Sequence, residues 1–193
     1  MPNELEAKLK VASLSPVRRA LRAAGARHIE TVLQTDLYFD TPGAELRSSD
    51  CALRIRRCRH LRGKGKGESG GACVTFKGPR APHRRIKVRR EVQTHVEDGD
   101  ALVEVFGACG LKPVMKVQKR RASYRLGRCR IELDELPLIG CFVEVEGPSE
   151  RAIAAARRKL SLEGRPILRP YVELLAEHCR KNRLPCREIV FDE

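Results

Sequence analysis

Tryptophan is absent from this 193-residue chain, and three tyrosines and five phenylalanines supply all of its aromatic rings apart from histidine. Successive bases of a nucleic-acid strand would find few faces to stack on, which argues against nucleic acid as a partner. No apolar run approaches the roughly 20 residues that cross a bilayer as a helix. The N-terminus enters a strand pattern at Glu4 without the zones of a signal peptide. A cytoplasmic protein with no membrane partner is expected. The eight cysteines (Cys51, Cys58, Cys73, Cys109, Cys129, Cys141, Cys179, Cys186) include no Cys-x-x-Cys, so a zinc site is not indicated and reduced thiols acting as small hydrophobes are expected. The five histidines make no ligand spacing. The phosphate-loop pattern Gly-x-x-x-x-Gly-Lys-Ser/Thr is missing too, so any phosphate site has to be assembled from side chains.

What the chain does have is charge sorted by strand parity. Glu4, Glu6 and Lys8 alternate with Leu5, Ala7 and Leu9, which puts the charges on one face of a strand and the apolar side chains on the other. Such alternation alone describes any half-exposed strand. Here it recurs. Arg54 and Arg56 alternate with Leu53 and Ile55, Lys77 follows Val74-Thr75-Phe76, and Lys119 and Arg121 face opposite to Arg120 and Ala122. Glu132 and Asp134 alternate with Ile131 and Leu133, and Glu144 and Glu146 with Val143 and Val145. A solvated face would mix in Thr, Ser and Gln freely, whereas this parity is mostly Glu, Asp, Lys and Arg, so an enclosed charged site is expected.

Helices are expected after Ser15-Pro16, after Asp100, after Pro148-Ser149-Glu150 and from Pro170-Tyr171, the last two making residues 148–183 helical. Strands are expected from Glu4, at Gln34–Asp40, Cys51–Cys58, Ala72–Lys77, Ile86–His95, Pro113–Tyr124, Arg128–Glu135 and Gly140–Glu146. With no composition break, the reading is one α+β domain over 1–193: an eight-stranded antiparallel β-barrel or tunnel with a charged interior and helices packed outside. The net charge of +14 implies an anionic partner or a basic surface, and part of it lies in a basic, Gly-rich segment near 59–71, expected to be a mobile hairpin tip that steers anions.

A charged barrel interior requires a ligand, metal or water to offset desolvation and like-charge repulsion. Polyphosphate with divalent cations meets both needs, the basic residues facing phosphate oxygens and the carboxylates holding Mg²⁺ or Mn²⁺. Without such a ligand, inward cations would repel one another, and removing Arg56 or Lys119 is expected to leave stability unchanged or raise it.

The segments Glu4-Leu5-Glu6-Ala7-Lys8, Asp36-Leu37-Tyr38-Phe39-Asp40, Ala52 to Arg56, Thr75 to Pro79, Arg90-Glu91, Lys119 to Arg121, Glu132 to Asp134 and Leu138 to Glu146 together resemble, in order, the strands of the CYTH superfamily of triphosphate tunnel metalloenzymes. The resemblance implies metal held by Glu4, Glu6, Asp134 and Glu144, and triphosphate held by Lys8, Arg54, Arg56, Lys77, Lys119 and Arg121, with Lys8, Arg56 and Lys119 in the catalytic set. Glu132, Glu146, Arg89 and Glu91 share the inner face with lesser weight, Arg89 on the substrate side and Glu132 and Glu146 on the metal side. The family's C-terminal Ser-Tyr pair reads here as Pro170-Tyr171. The closing pattern Leu138 to Glu146 is most similar to the class IV adenylyl cyclase branch, which converts ATP to cyclic AMP and pyrophosphate. A triphosphatase of inorganic, nucleoside or thiamine triphosphate is the alternative, and a non-catalytic polyphosphate- or RNA-binding module a second; a homodimer is compatible with all three.

Overall fold

The computed structural model describes residues 3–61, 67–68, 71–80 and 87–192. Their elements, in chain order, are β1 (Asn3–Val11), α1 (Leu14–Ala23), β2 (Arg27–Asp40), α2 (Glu45–Ser48), β3 (Ala52–His60), β4 (Gly67–Glu68), β5 (Ala72–Arg80), β6 (Lys87–Val96), α3 (Gly99–Ala108), β7 (Lys112–Leu126), β8 (Cys129–Leu136), β9 (Gly140–Glu146), α4 (Glu150–Lys159), α5 (Tyr171–Asn182) and β10 (Glu188–Ile189). Pairing runs β7-β2-β3-β5-β6-β1-β9-β8, and β8 returns to β7. Each of these contacts is antiparallel. Eight strands thus close on themselves, as the α+β barrel reading requires.

Two helix starts differ from the sequence reading. Ser13, not Ser15, caps α1, its side chain accepting from the Ser15 amide. Asp98, not Asp100, caps α3, accepting at 2.9 Å from the amides of Asp100 and Ala101. In both cases the capping side chain must precede the first free N–H groups of the helix, and the expected residue already sits inside it. Arg59 and His60, expected in the basic tip, belong to β3, and β4 pairs with them; residues 62–66 and 69–70 of that segment, like 81–86, lie outside the described residues.

The apolar strand parity faces outward and is covered by helices over much of the barrel, while Phe76 of β5 and Val92 of β6 stay exposed. Ala7, Leu9, Ile131, Leu133, Val143 and Val145 form one cluster with Leu14, Val17 and Leu21 of α1, Ile153 and Ala156 of α4, and Leu160 at its C-terminal cap. Each large aliphatic buried here contributes about 1.5–3 kcal/mol. Helix α3 applies Leu102, Val103 and Phe106 to Phe39 and Ile55. Helix α5 is placed differently. Its Tyr171, Leu175 and Cys179 pack with Val117, Leu136 and Phe142, which share the parity of Lys119, Asp134 and Glu144. It therefore closes one end of the barrel interior, where the inner parity turns from charged to apolar. Strand β2 also carries a bulge against β7 between Tyr38 and Phe39: Tyr38 pairs with Met115 and Phe39 with Pro113, leaving Val114 as the extra residue.

Candidate functional site

The inner parity lines a cavity of about 720 Å³, bounded by residues that include Glu6, Lys8, Arg54, Arg56, Lys119, Arg121, Glu144 and Tyr171. Strand register sets who meets whom. Lys8 lies opposite Glu144, and Glu6 opposite Glu146; one carboxylate oxygen from each of Glu6, Glu144 and Glu146 falls within 4.8 Å of the others. Such a trio of hard oxygen donors suits a divalent cation of the Mg²⁺ or Mn²⁺ kind. Lys8 Nζ stands 3.3 Å from Glu144 and 3.6 Å from Glu6, and donates to the Arg169 carbonyl at 3.1 Å.

Asp134 and Glu132, also expected as ligands, are engaged elsewhere. Asp134 accepts Arg121 Nε at 2.7 Å and the Tyr171 hydroxyl at 2.9 Å. The Arg121 guanidinium also bridges to Glu144. Glu132 accepts from Ser123 Oγ at 2.6 Å and from Arg130 Nε. The Glu4 backbone pairs with Arg89 across β1 and β6, and its side chain lies outside the described residues.

The basic wall is similarly tied. Asp36, opposite Arg56 in register, accepts Arg56 Nε at 2.6 Å and Nη2 at 2.8 Å, with Arg54 Nη1 at 3.5 Å. Burial alone would raise the Asp36 pKa, but the two guanidiniums outweigh it and hold the carboxyl well below its usual range. Arg54 also donates to Thr75 Oγ1 at 3.3 Å. Lys77 meets Glu91 at 2.6 Å. Arg89 gives its guanidinium to the carbonyls of Gly78, Asp50 and Lys77, bracing the end of β5 from within.

Lys119 differs from its neighbours. Its Nζ has Asp134 at 3.9 Å and stands 5.3 Å from the Tyr171 ring centre. Burial first, then the positive charges of Arg121 and Arg56, push its amine down to about 7 against the weaker pull of Asp134 and Asp36. The expectation that inward cations repel one another therefore describes Lys119 and not Arg56 or Arg121. Arg56 and Arg121 have carboxylate partners, which outweigh burial and raise their pKa values.

Two contributors were not among the sequence-predicted site residues. Asp36 holds two of the predicted phosphate-facing arginines; its inner parity and its position opposite the Arg56 strand were the available signals. Tyr171 places its ring 4.0 Å from Lys8 Nζ while donating to Asp134. Its signal was the opening of a helix directly after Pro170.

The CYTH domain family model matches residues 2–170. A Methanocaldococcus jannaschii protein provisionally named as an adenylate cyclase is 30% identical over 143 residues, covering 74% of this chain and 75% of that protein. Among solved structures, a Pyrococcus horikoshii protein superposes with a TM-score of 0.73 at 27% identity, covering 91% of this chain and 98% of its own. A Hippeastrum protein named for adenylyl cyclase, and described as revealing a dominant triphosphatase activity, shares the fold with a TM-score of 0.67 at 17% identity, over 90% of this chain and 95% of its own.

Proposed function

The chain belongs to the CYTH family, and from that membership we propose that it is a metal-dependent enzyme of triphosphate substrates, with adenylyl cyclase chemistry of the class IV kind as the first reading. The observation that carries it is one cavity holding both a carboxylate trio, Glu6, Glu144 and Glu146, and a cationic wall of Arg54, Arg56, Lys119 and Arg121. Carboxylates this numerous would repel phosphate unless a cation intervened. Mg²⁺ or Mn²⁺ bound by the trio would supply Lewis-acid charge at the reacting phosphate.

The chain's own groups carry the rest. Arginine forks suit phosphate oxygens through paired N–H donors, and Arg54 and Arg56 arrive already oriented by Asp36. As the ribose 3′-hydroxyl attacks the α-phosphate and pyrophosphate leaves, negative charge grows on the departing oxygens. Lys119 and the arginines are aimed to neutralise it, in a water-poor wall where fixed charges act strongly. Lys8, held by Glu6, Glu144 and the Arg169 carbonyl, adds positive charge beside the carboxylates. No side chain is assigned as general base. Triphosphatase chemistry needs the same wall, and the activity described for the Hippeastrum protein of this fold keeps it as the second reading.

Product analysis decides. The chain is incubated with ATP, GTP, thiamine triphosphate or inorganic triphosphate, each with Mg²⁺ or Mn²⁺. Cyclic nucleotide with pyrophosphate supports the cyclase, and orthophosphate release the triphosphatase. No turnover of any of the four with either metal defeats the proposal. Glu6→Gln, which removes charge at constant shape, is expected to abolish turnover while preserving the circular dichroism spectrum.

A further inference from the structure

Two of the eight cysteines meet at the end of the barrel that α5 closes. Cys179, near the end of α5, is fully buried, and Cys186, half-buried, packs against the same apolar cluster. Helix α5 ends in a Schellman turn: Arg183 takes the left-handed conformation (φ 54°), and the Leu184 amide returns to the Cys179 carbonyl at 2.9 Å. The chain thereby folds back along the helix, and the Cys186 thiol has the Cys179 thiol as its hydrogen-bond partner. Both are free thiols. Beyond Cys186 the chain is tied to the barrel wall. The Lys116 amide donates to the Arg187 carbonyl at 2.8 Å, and Glu188 and Ile189 pair with Lys116 and Val117, on the part of β7 that precedes its pairing with β8. This tail strand is two residues long, so its own hold is slight. A covalent link between the cysteines joins it to α5, which lines the cavity through Tyr171, Glu173 and Ala176.

A thiol that already touches a second thiol, across one tight turn of chain, is placed for intramolecular thiol–disulfide exchange. We infer that Cys179 and Cys186 are a modification site, a pair that closes reversibly to a disulfide when met by a low-molecular-weight disulfide of the glutathione class, and that closing it fastens α5 to the tail strand. Cys186, the less buried sulfur, attacks the oxidant as its thiolate and releases one small thiol; Cys179 then displaces the second small thiol from the mixed disulfide. One S–S bond is lost and one gained, two electrons pass to the oxidant, and the two cysteine protons end on the released thiols. The positive charge of Arg47 favours the attacking thiolate, while burial first and then Cys179 oppose it and keep the Cys186 thiol above its ordinary value. Closure is therefore expected over minutes to hours, within the usual span of disulfide formation.

The test holds the full chain, well below its melting temperature, in buffers of oxidised and reduced glutathione, blocks the remaining free thiols and digests with trypsin. Cleavage after Arg180 and Arg183 puts the two cysteines on separate peptides, so the closed pair is read by mass spectrometry as one cross-linked species. That species is expected from the wild-type chain in oxidised glutathione, is lost on adding dithiothreitol, and does not form in Cys186→Ser. Oxidation is also expected to raise the wild-type Tm by about 5–10 °C and to slow hydrogen exchange in α5, with neither change in the variant. The peptide map of the wild-type chain stands by itself if the variant melts early. Cross-links from either cysteine to a third in place of this pair overturn the inference, as does glutathione left on Cys186 with no cross-link. A cross-linked chain whose Tm and α5 exchange are unchanged overturns it too. None of these outcomes bears on the triphosphate reading, which product analysis decides.

Discussion

Arg56 and Lys119 line one cavity, yet their removal is expected to act in opposite directions. Arg56→Ala leaves Asp36, 3% exposed, without its bidentate partner, a loss that costs about 3–5 kcal/mol when one member of a buried pair is removed. Denaturant unfolding measures it, and Asp36→Asn combined with Arg56→Met is expected to recover most of the loss. Lys119→Met removes an inner cation whose environment disfavours its charge. In the folded protein this amine titrates near 7 instead of near 10.5. Between those values the unfolded chain binds a proton that the folded chain does not, so wild-type stability climbs with pH and levels off above them. The variant is expected to lack that part of the slope and to be more stable than wild type at neutral pH, both measurable by unfolding at several pH values. Triphosphate drawn to Lys119 restores its proton. Binding near pH 8 should therefore take up protons, which calorimetry in buffers of different ionisation heat detects; no uptake places Lys119 away from the phosphate.

At the scale of elements, α5 matters most. Tyr171→Phe keeps the ring beside Lys8 and removes only the hydroxyl on Asp134, so a loss of about 1.5–3 kcal/mol is expected, the worth of a hydrogen bond to a charged group, read from thermal or denaturant melting. The strands were legible because burial forces a period of two, and charge sorting named the inner parity of β1, β3, β7, β8 and β9. The position of α5 was less so. Its amphipathic pattern reads the same whether it lies on the barrel's side or over its end. What separates the two is that Val117, Leu136 and Phe142 continue the charged parity as apolar residues, a change noticed only after the strands are aligned. The pairings of Asp134 and Glu132 with Arg121, Ser123 and Arg130 were equally hidden, because parity gives a side chain's face and not which neighbour across the ladder claims it. The short helix α2 and the β2 bulge carry no periodic signal.

For the whole molecule, the inner carboxylates and cations largely answer one another, so the net charge of +14 lies mostly outside the cavity. Its expected effect is on encounter. Association of a triphosphate should slow as salt is raised from about 10 mM, where the screening length is about 30 Å, to about 150 mM, where it is about 8 Å. Dissociation should change little, and stopped-flow binding across that range separates the two. The closed ring has a further consequence for how such a protein changes over time. Because the wall strands keep most of their packing residues on the outer side, a substitution at an inner position away from the α5 end leaves the outer packing in place. Point changes along the lumen can then alter what the cavity binds while the outward packing of the barrel is kept.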